Sequence, residues 1–212
     1  MGLSDWLILA MVCLAGAASP GPSVILLINS VIKDGRKAGV AFGIAHGLGI
    51  FVYSALVASG LIIFLSFAPW FSFSLEFAGL LFLLWLSISM IKNSFKKAPI
   101  DETGGDPLSA PLFEYVRNGF LIVFLNPKIA AFYLAIFSQF LDAASNLEHK
   151  FLMVVTATVI DGLWYILLTF VIAVPKFIKF FKISAKKIEF FFGILLLIVS
   201  FVLGIKMITI FF

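Results

Sequence analysis

Six stretches of this chain are apolar over about the length of a membrane span, and that pattern rules out most other folds. They run from Trp6 to about Leu27, Gly39 to about Phe67, Leu75 to Ile91, Gly119 to about Leu141, Phe151 to Val174, and Phe190 to about Phe211. A helix needs roughly 20 mainly apolar residues to cross the hydrocarbon core. Here the apolar residues come in unbroken blocks, unlike the one-sided stripes of helices that pack on a soluble core. Composition agrees. Of 212 residues, 62% are hydrophobic and 12% charged, too few polar groups to coat a soluble domain of this size. The chain is predicted to be an all-α integral membrane protein, a single transmembrane domain over residues 1–212. Leu7 to Leu14 followed by Ala15-Gly16-Ala17 has the outline of a cleaved leader. A leader opens on positive charge, however, and only Asp5 precedes Leu7 as a charge, so this segment is expected to be the first membrane helix.

The charges sort by loop. Lys33, Arg36 and Lys37 lie between blocks 1 and 2, and Lys92, Lys96, Lys97 and Arg117 between blocks 3 and 4. Lys176, Lys179, Lys182, Lys186 and Lys187 lie between blocks 5 and 6. These are twelve of the fifteen Lys and Arg residues; Lys128 and Lys206 fall inside blocks, and Lys150 alone is left for the other side. Cytoplasmic loops carry the Lys/Arg excess. The three basic loops are therefore expected inside and both termini outside, in the periplasm. A net charge of +4 distributed in this way reflects topology and calls for no nucleic-acid partner.

The polar stretch from Lys92 to Pro111 divides the chain into a first repeat of about 1–91 and a second of about 117–212, with a cytoplasmic loop of about 92–116 between them. Three spans is an odd number, so a repeat of the first half in the second must be inverted. Two features hint at such a repeat. Phe77-Ala78-Gly79-Leu80-Leu81 in block 3 resembles Phe191-Phe192-Gly193-Ile194-Leu195 in block 6. More telling, Pro20-Gly21-Pro22 interrupts block 1 and Asn126-Pro127-Lys128 interrupts block 4. Paired breaks in corresponding helices point to a transporter binding site. The predicted architecture is thus six transmembrane helices in an inverted 3+3 repeat, with helices 1 and 4 broken.

Few residues inside the blocks carry chemistry. Pro20, Gly21 and Pro22 cannot form ordinary helix, and the carbonyls they free must meet protein or a water-filled cavity. The tripeptide is either a broken helix open to substrate or a kink between packed helices. Asn126, Pro127 and Lys128 repeat the break and add an amide and an ammonium at a depth where charge is costly. Asp161, midway along block 5, is an intramembrane carboxylate and so a candidate functional group, with Lys128 or His46 as its available partners. It either carries a proton during transport or forms a structural pair. His46 itself reads first as a packing residue, because Gly35, Gly39, Gly43 and Gly47 recur beside it as a small-residue stripe. Gln139, Tyr53, Tyr133, Asn29 and Asn118 line a path or bond a neighbouring helix. Cys13 is the single cysteine, which excludes a disulfide within one chain and a thiolate metal site. No nucleophile–base or phosphate-cradling motif stands out, so an enzyme and a cofactor are not expected.

Several of these motifs occur together and in order. Ser19-Pro20-Gly21-Pro22, the glycine-rich Gly39-to-Gly49 segment, Asn118-Gly119-Phe120 leading to Asn126-Pro127-Lys128, Phe137-Ser138-Gln139-Phe140 and Asp161 resemble the lysine-exporter and homoserine/threonine-resistance family of bacterial amino-acid exporters. The resemblance covers nearly the whole chain. Ser138 stands where that family usually has proline and Ser87 where it commonly has glycine, both differences of packing. The resemblance implies proton-driven efflux of an amino acid or derivative across the bacterial inner membrane. It also implies a small-molecule substrate, the lipid bilayer as surroundings and a monomer or homo-oligomer as the assembly. Two other readings remain. A divalent metal-ion exporter would want several carboxylate or carbonyl ligands, and this chain buries one carboxylate. A membrane-embedded enzyme would need the catalytic constellation that is missing.

Overall fold

The computed structural model describes residues 2–65, 69–95, 110–141 and 145–211, and the side chains of all but 61–65, 69–72, 175–183, 185 and 210–211 of these. Everything regular among them is helix: α1 (Leu3–Ala18), α2 (Pro22–Leu65), α3 (Pro69–Ser94), α4 (Leu112–Leu125), α5 (Pro127–Ser138), α6 (Leu147–Ile172) and α7 (Pro175–Phe211). Among the described residues four helices are long and apolar enough to cross a membrane, and there are five if α4 and α5, bent by 60° at their break, are counted as one span. Most of the Lys96 to Pro111 linker, with Lys96 and Lys97, lies outside the described residues.

The blocks and the helices differ in ways that physics explains. Block 1 is two helices, because Pro20 and Pro22 supply no N–H to a continuous ladder; α1 ends at Ala18 and α2 starts at Pro22. The charged run from Lys33 to Lys37, expected to be a loop, is only a corner inside α2. Asp34 (φ −127°, ψ 18°) and Gly35 (φ 70°, ψ −161°) alone leave helical geometry there. A positive φ at this point is accessible to glycine at little cost, so two residues suffice to turn the chain. The corner is clamped by Asp34, whose carboxylate accepts hydrogen bonds from the Ala110 backbone N–H at 3.1 Å and from the Tyr115 hydroxyl. Gly35 is therefore not part of the packing stripe, and a side chain added there would meet nothing within 4 Å.

The rest of the stripe does pack. A Cβ on Gly39 would fall 2.5 Å from Thr169, on Gly43 3.3 Å from Tyr165, and on Gly47 3.2 Å from the Gly162 Cα. Three successive turns of α2 thus lie directly on α6, and at Gly47 two glycine backbones cross. Gly119 lets α4 approach α2 as closely, with a Cβ there 2.4 Å from the Phe42 carbonyl oxygen. In the other half, Gly193 of α7 lies against Met90 and Ile91 of α3. Without a hydrophobic drive inside lipid, close backbone approach of this kind is what holds helices together. The two serines that depart from the family pattern are buried packing residues. Ser87 Oγ donates to the Leu84 carbonyl at 2.7 Å and Ser138 Oγ to the Ala135 carbonyl at 2.8 Å.

Candidate functional site

The crossing of Gly47 and Gly162 has a chemical consequence. The residues beside these glycines, His46 and Asp161, are carried into contact, and His46 Nδ1 hydrogen-bonds Asp161 Oδ1 at 2.6 Å. Both are buried, at 1% and 5% relative exposure. Tyr165, one turn beyond Asp161 on the same face of α6, stacks on the imidazole with ring centroids 4.1 Å apart. The ring is thereby fixed in orientation with one nitrogen committed to the carboxylate. Its other nitrogen, Nε2, is buried and bonds nothing among the described residues.

The two helix breaks meet on the other side of the same space. Asn126 caps α5 by accepting the Lys128 backbone N–H at 3.1 Å, with Pro127 in the first helical position, where a missing N–H costs nothing. The Asn126 amide then donates to Ser23 at 3.4 Å, just past the first break. Lys128 Nζ donates to Ser19 Oγ at 2.5 Å, and a side chain added to Gly21 would begin 3.8 Å from that ammonium. One break is thus bonded to the other by two side chains.

Between the breaks and the His46–Asp161 pair lies a cavity of about 40 Å³, lined by Ser19, Gly21, Ser23, Asn126, Lys128, His46 and Asp161 among others. This is room for a few waters. Its apolar wall includes Ile50, Ile129 and Phe132. Lys128 and Asp161 face this space without forming an ion pair with one another; Asp161 is paired with His46.

Of the residues singled out in the sequence, Gly21, Asn126, Lys128, His46, Tyr133 and Asp161 line this cavity, and Pro20, Pro22 and Pro127 make the breaks that border it. His46, read first as packing, is the partner of Asp161, while Lys128 bonds Ser19 instead. Gln139 is not brought to the cavity. Its amide donates to the Glu76 carbonyl at 2.7 Å and ties the end of α5 to α3. Ser19, Ser23 and Tyr165 were missed as site residues. Ser19 and Ser23 flank the first break, and Tyr165 sits four residues after Asp161, so spacing alone pointed to all three. Glu189 was missed as well. It lies on α7 in electrostatic reach of Lys128 without an ion pair to it.

Comparison with known proteins adds a second line. The family model described as LysE type translocator matches residues 14–207. A threonine efflux protein of Escherichia coli (strain K12) is 22% identical over 190 residues, covering 90% of this chain and 92% of its own. A leucine efflux protein of Enterobacter sp. (strain 638) is 25% identical over 170 residues, 80% of this chain and 78% of its own. An uncharacterized membrane protein of Escherichia coli (strain K12), YahN, is 24% identical over 157 residues, 74% of this chain and 70% of its own. No solved structure matches.

Proposed function

This chain belongs to the LysE type translocator family, and from that premise we propose that it exports amino acids or amino-acid-like metabolites across the bacterial inner membrane in exchange for protons. The observation that carries the proposal is the convergence of two helix breaks, one ammonium and one carboxylate–imidazole pair on a single cavity. Broken helices that bring polar groups to a shared cavity are the construction by which secondary transporters bind substrates inside a bilayer. The efflux relatives, named for threonine and leucine, support an amino acid as the cargo.

Asp161 and His46 supply a place for the coupling proton. With His46 neutral and Asp161 ionised, the pair carries one negative charge and the shared proton lies between Nδ1 and Oδ1. Nε2 can accept a second proton from the cavity, which leaves the pair neutral. A buried site that changes charge by one is a sufficient proton carrier. Asp161 is the one acidic side chain among the residues lining the cavity, a poor start for the six to eight oxygens, carboxylates prominent among them, that a hard divalent cation such as calcium takes. At about 40 Å³ the cavity is also far smaller than the roughly 300–1,000 Å³ of ligand pockets. Binding therefore requires the broken helices to part, as alternating access does.

The architecture we propose counts α1 with the first part of α2 as span 1 and α4 with α5 as span 4, giving six spans in an inverted 3+3 repeat. The contacts of α2 with α6 and of α3 with α7, corresponding helices of the two halves, support it. The Lys/Arg distribution supports cytoplasmic basic loops and external termini.

The test is export from proteoliposomes preloaded with a mixture of labelled amino acids, with and without an imposed pH gradient. Faster loss of one or more of them under the gradient is the expected result. Loss at the rate of protein-free vesicles for every amino acid, under a gradient that a control transporter uses, would refute the proposal.

A further inference from the structure

We infer that the cavity binds its substrate in one direction, with an α-carboxylate at Lys128 and an α-ammonium at the Asp161–His46 pair, and that it selects α-amino acids with uncharged side chains. The inference rests on the amino-acid export proposed above and adds the pose and the substrate class.

Three observations carry it. The first is the cation. Lys128 faces the cavity with Ser19 as its hydrogen-bond partner and no ion pair among the described residues. An ammonium has three donors, so bonding one hydroxyl leaves capacity for a carboxylate. Two half-helices, α2 at Pro22 and α5 at Pro127, begin beside it, and each contributes roughly half a positive charge at its N-terminus. Glu189 reaches Lys128 only at longer range.

The second is the anion. Asp161 is held by His46 through one oxygen, and the buried His46 Nε2 has no partner among the described residues. Both groups accept hydrogen bonds from a cation when the pair has released its second proton. Because each charge is tied to its own neighbour, Asp161 to His46 and Lys128 to Ser19, the two do not neutralise one another and stay open to a zwitterion. The third is the wall. Beyond Lys128 and the Asp161–His46 pair the cavity is lined by uncharged residues, with Ile50, Ile129 and Phe132 beside Ser23, Asn126, Tyr133 and Tyr165, so an additional charge would find no opposite charge there, at substantial cost. A proton on the pair removes the negative charge that an α-ammonium needs, so proton and substrate exclude one another there. That exclusion is what exchange requires.

The experiment is competition in proteoliposomes, with uptake of labelled L-threonine by counterflow against internal L-threonine. Unlabelled L-leucine is expected to compete with L-threonine, whereas L-threoninamide, whose carboxylate is an uncharged amide, and L-lysine compete roughly 10- to 100-fold less well, the worth of one charge-assisted hydrogen bond. Lys128→Met is expected to lose most of the discrimination between threonine and its amide, and Lys128→Arg to retain it. Competition by threoninamide or lysine equal to leucine in the wild-type protein overturns the inference while leaving amino-acid export intact, and needs no variant to fold. Undiminished discrimination in an active Lys128→Met overturns it as well. Counterflow of no amino acid in a panel of all twenty overturns the inference and the export proposal together.

Discussion

An acid group enclosed among helices in a bilayer is stable only if it is neutral or partnered, and Asp161 is partnered by His46 at 2.6 Å. Asp161→Asn keeps the size and a hydrogen-bonding oxygen but removes the titration. The variant is expected to insert and fold but to lose gradient-driven efflux and substrate-for-substrate exchange alike, because a neutral amide neither carries a proton nor supplies the negative charge that an α-ammonium needs. Efflux from proteoliposomes at several pH values checks this; a normal rate with an unchanged pH profile would make Asp161 a packing residue. Stability separates the two partners proposed for Asp161 in the sequence. Removing His46 strands a buried carboxylate, which costs about 3–5 kcal/mol, whereas removing Lys128 breaks only its bond to Ser19. His46→Leu is therefore expected to melt well below Lys128→Met in detergent, and the reverse order would restore Lys128 as the acid's partner. Asp161 was legible in the sequence because one acid in an apolar run is conspicuous. Its partner was legible only as one of two, His46 or Lys128, because His46 lies 115 residues away and Lys128 has the more obvious charge.

That contact is decided at the level of helices. The glycine stripe was readable as a packing surface, and the structure assigns three of its four members to α6. What spacing alone does not reveal is that the same stripe builds the site, because the glycine crossing and the His46–Asp161 bond lie at adjacent residues. Gly47→Leu is expected to push α2 off α6, since even a Cβ there lies 3.2 Å from the Gly162 Cα. Overpacking typically costs about 1–3 kcal/mol. The proton-dependent step is expected to fail along with stability, because His46 moves with its helix. Gly35→Ala fails for another reason. It has open space around it but a φ of 70° with a ψ of −161°, a region kept almost wholly to glycine, which costs an alanine about 1–3 kcal/mol. Melting of both variants with efflux measured below the melting point separates the two mechanisms: Gly35→Ala retains transport at low temperature and Gly47→Leu does not. The corner at Asp34 and Gly35 was misread as a loop because its flanking charges suggest solvent. The clamp by Ala110 and Tyr115 joins residues that lie far apart in sequence.

At the scale of the molecule, six apolar blocks became seven helices among the described residues, because prolines cut blocks 1 and 4 and a glycine corner joined the rest of block 1 to block 2. The block count follows from hydropathy alone; the helix count depends on backbone donors that hydropathy ignores. Charge bears on the proposed orientation. The corner carrying Lys33, Arg36 and Lys37 is bonded to the start of α4 near Arg117, and Phe95 at the end of α3 meets Phe190 of α7, near Lys186 and Lys187. Asp5 of α1 and Lys206 of α7 pair at 2.9 Å, near the two chain termini. If the basic end faces the cytoplasm, as the Lys/Arg excess requires, a single cysteine at Asn93 or Lys187 is shielded from an impermeant thiol reagent in sealed cells. A cysteine at Glu148, an exposed residue at the start of α6, is labelled. The background is Cys13→Ser, although Cys13 is itself buried. Permeabilising the cells should make Asn93→Cys and Lys187→Cys reactive, which shows that their protection came from the membrane and not from burial. Labelling of Asn93→Cys in sealed cells together with protection of Glu148→Cys would invert the topology and place the basic end outside.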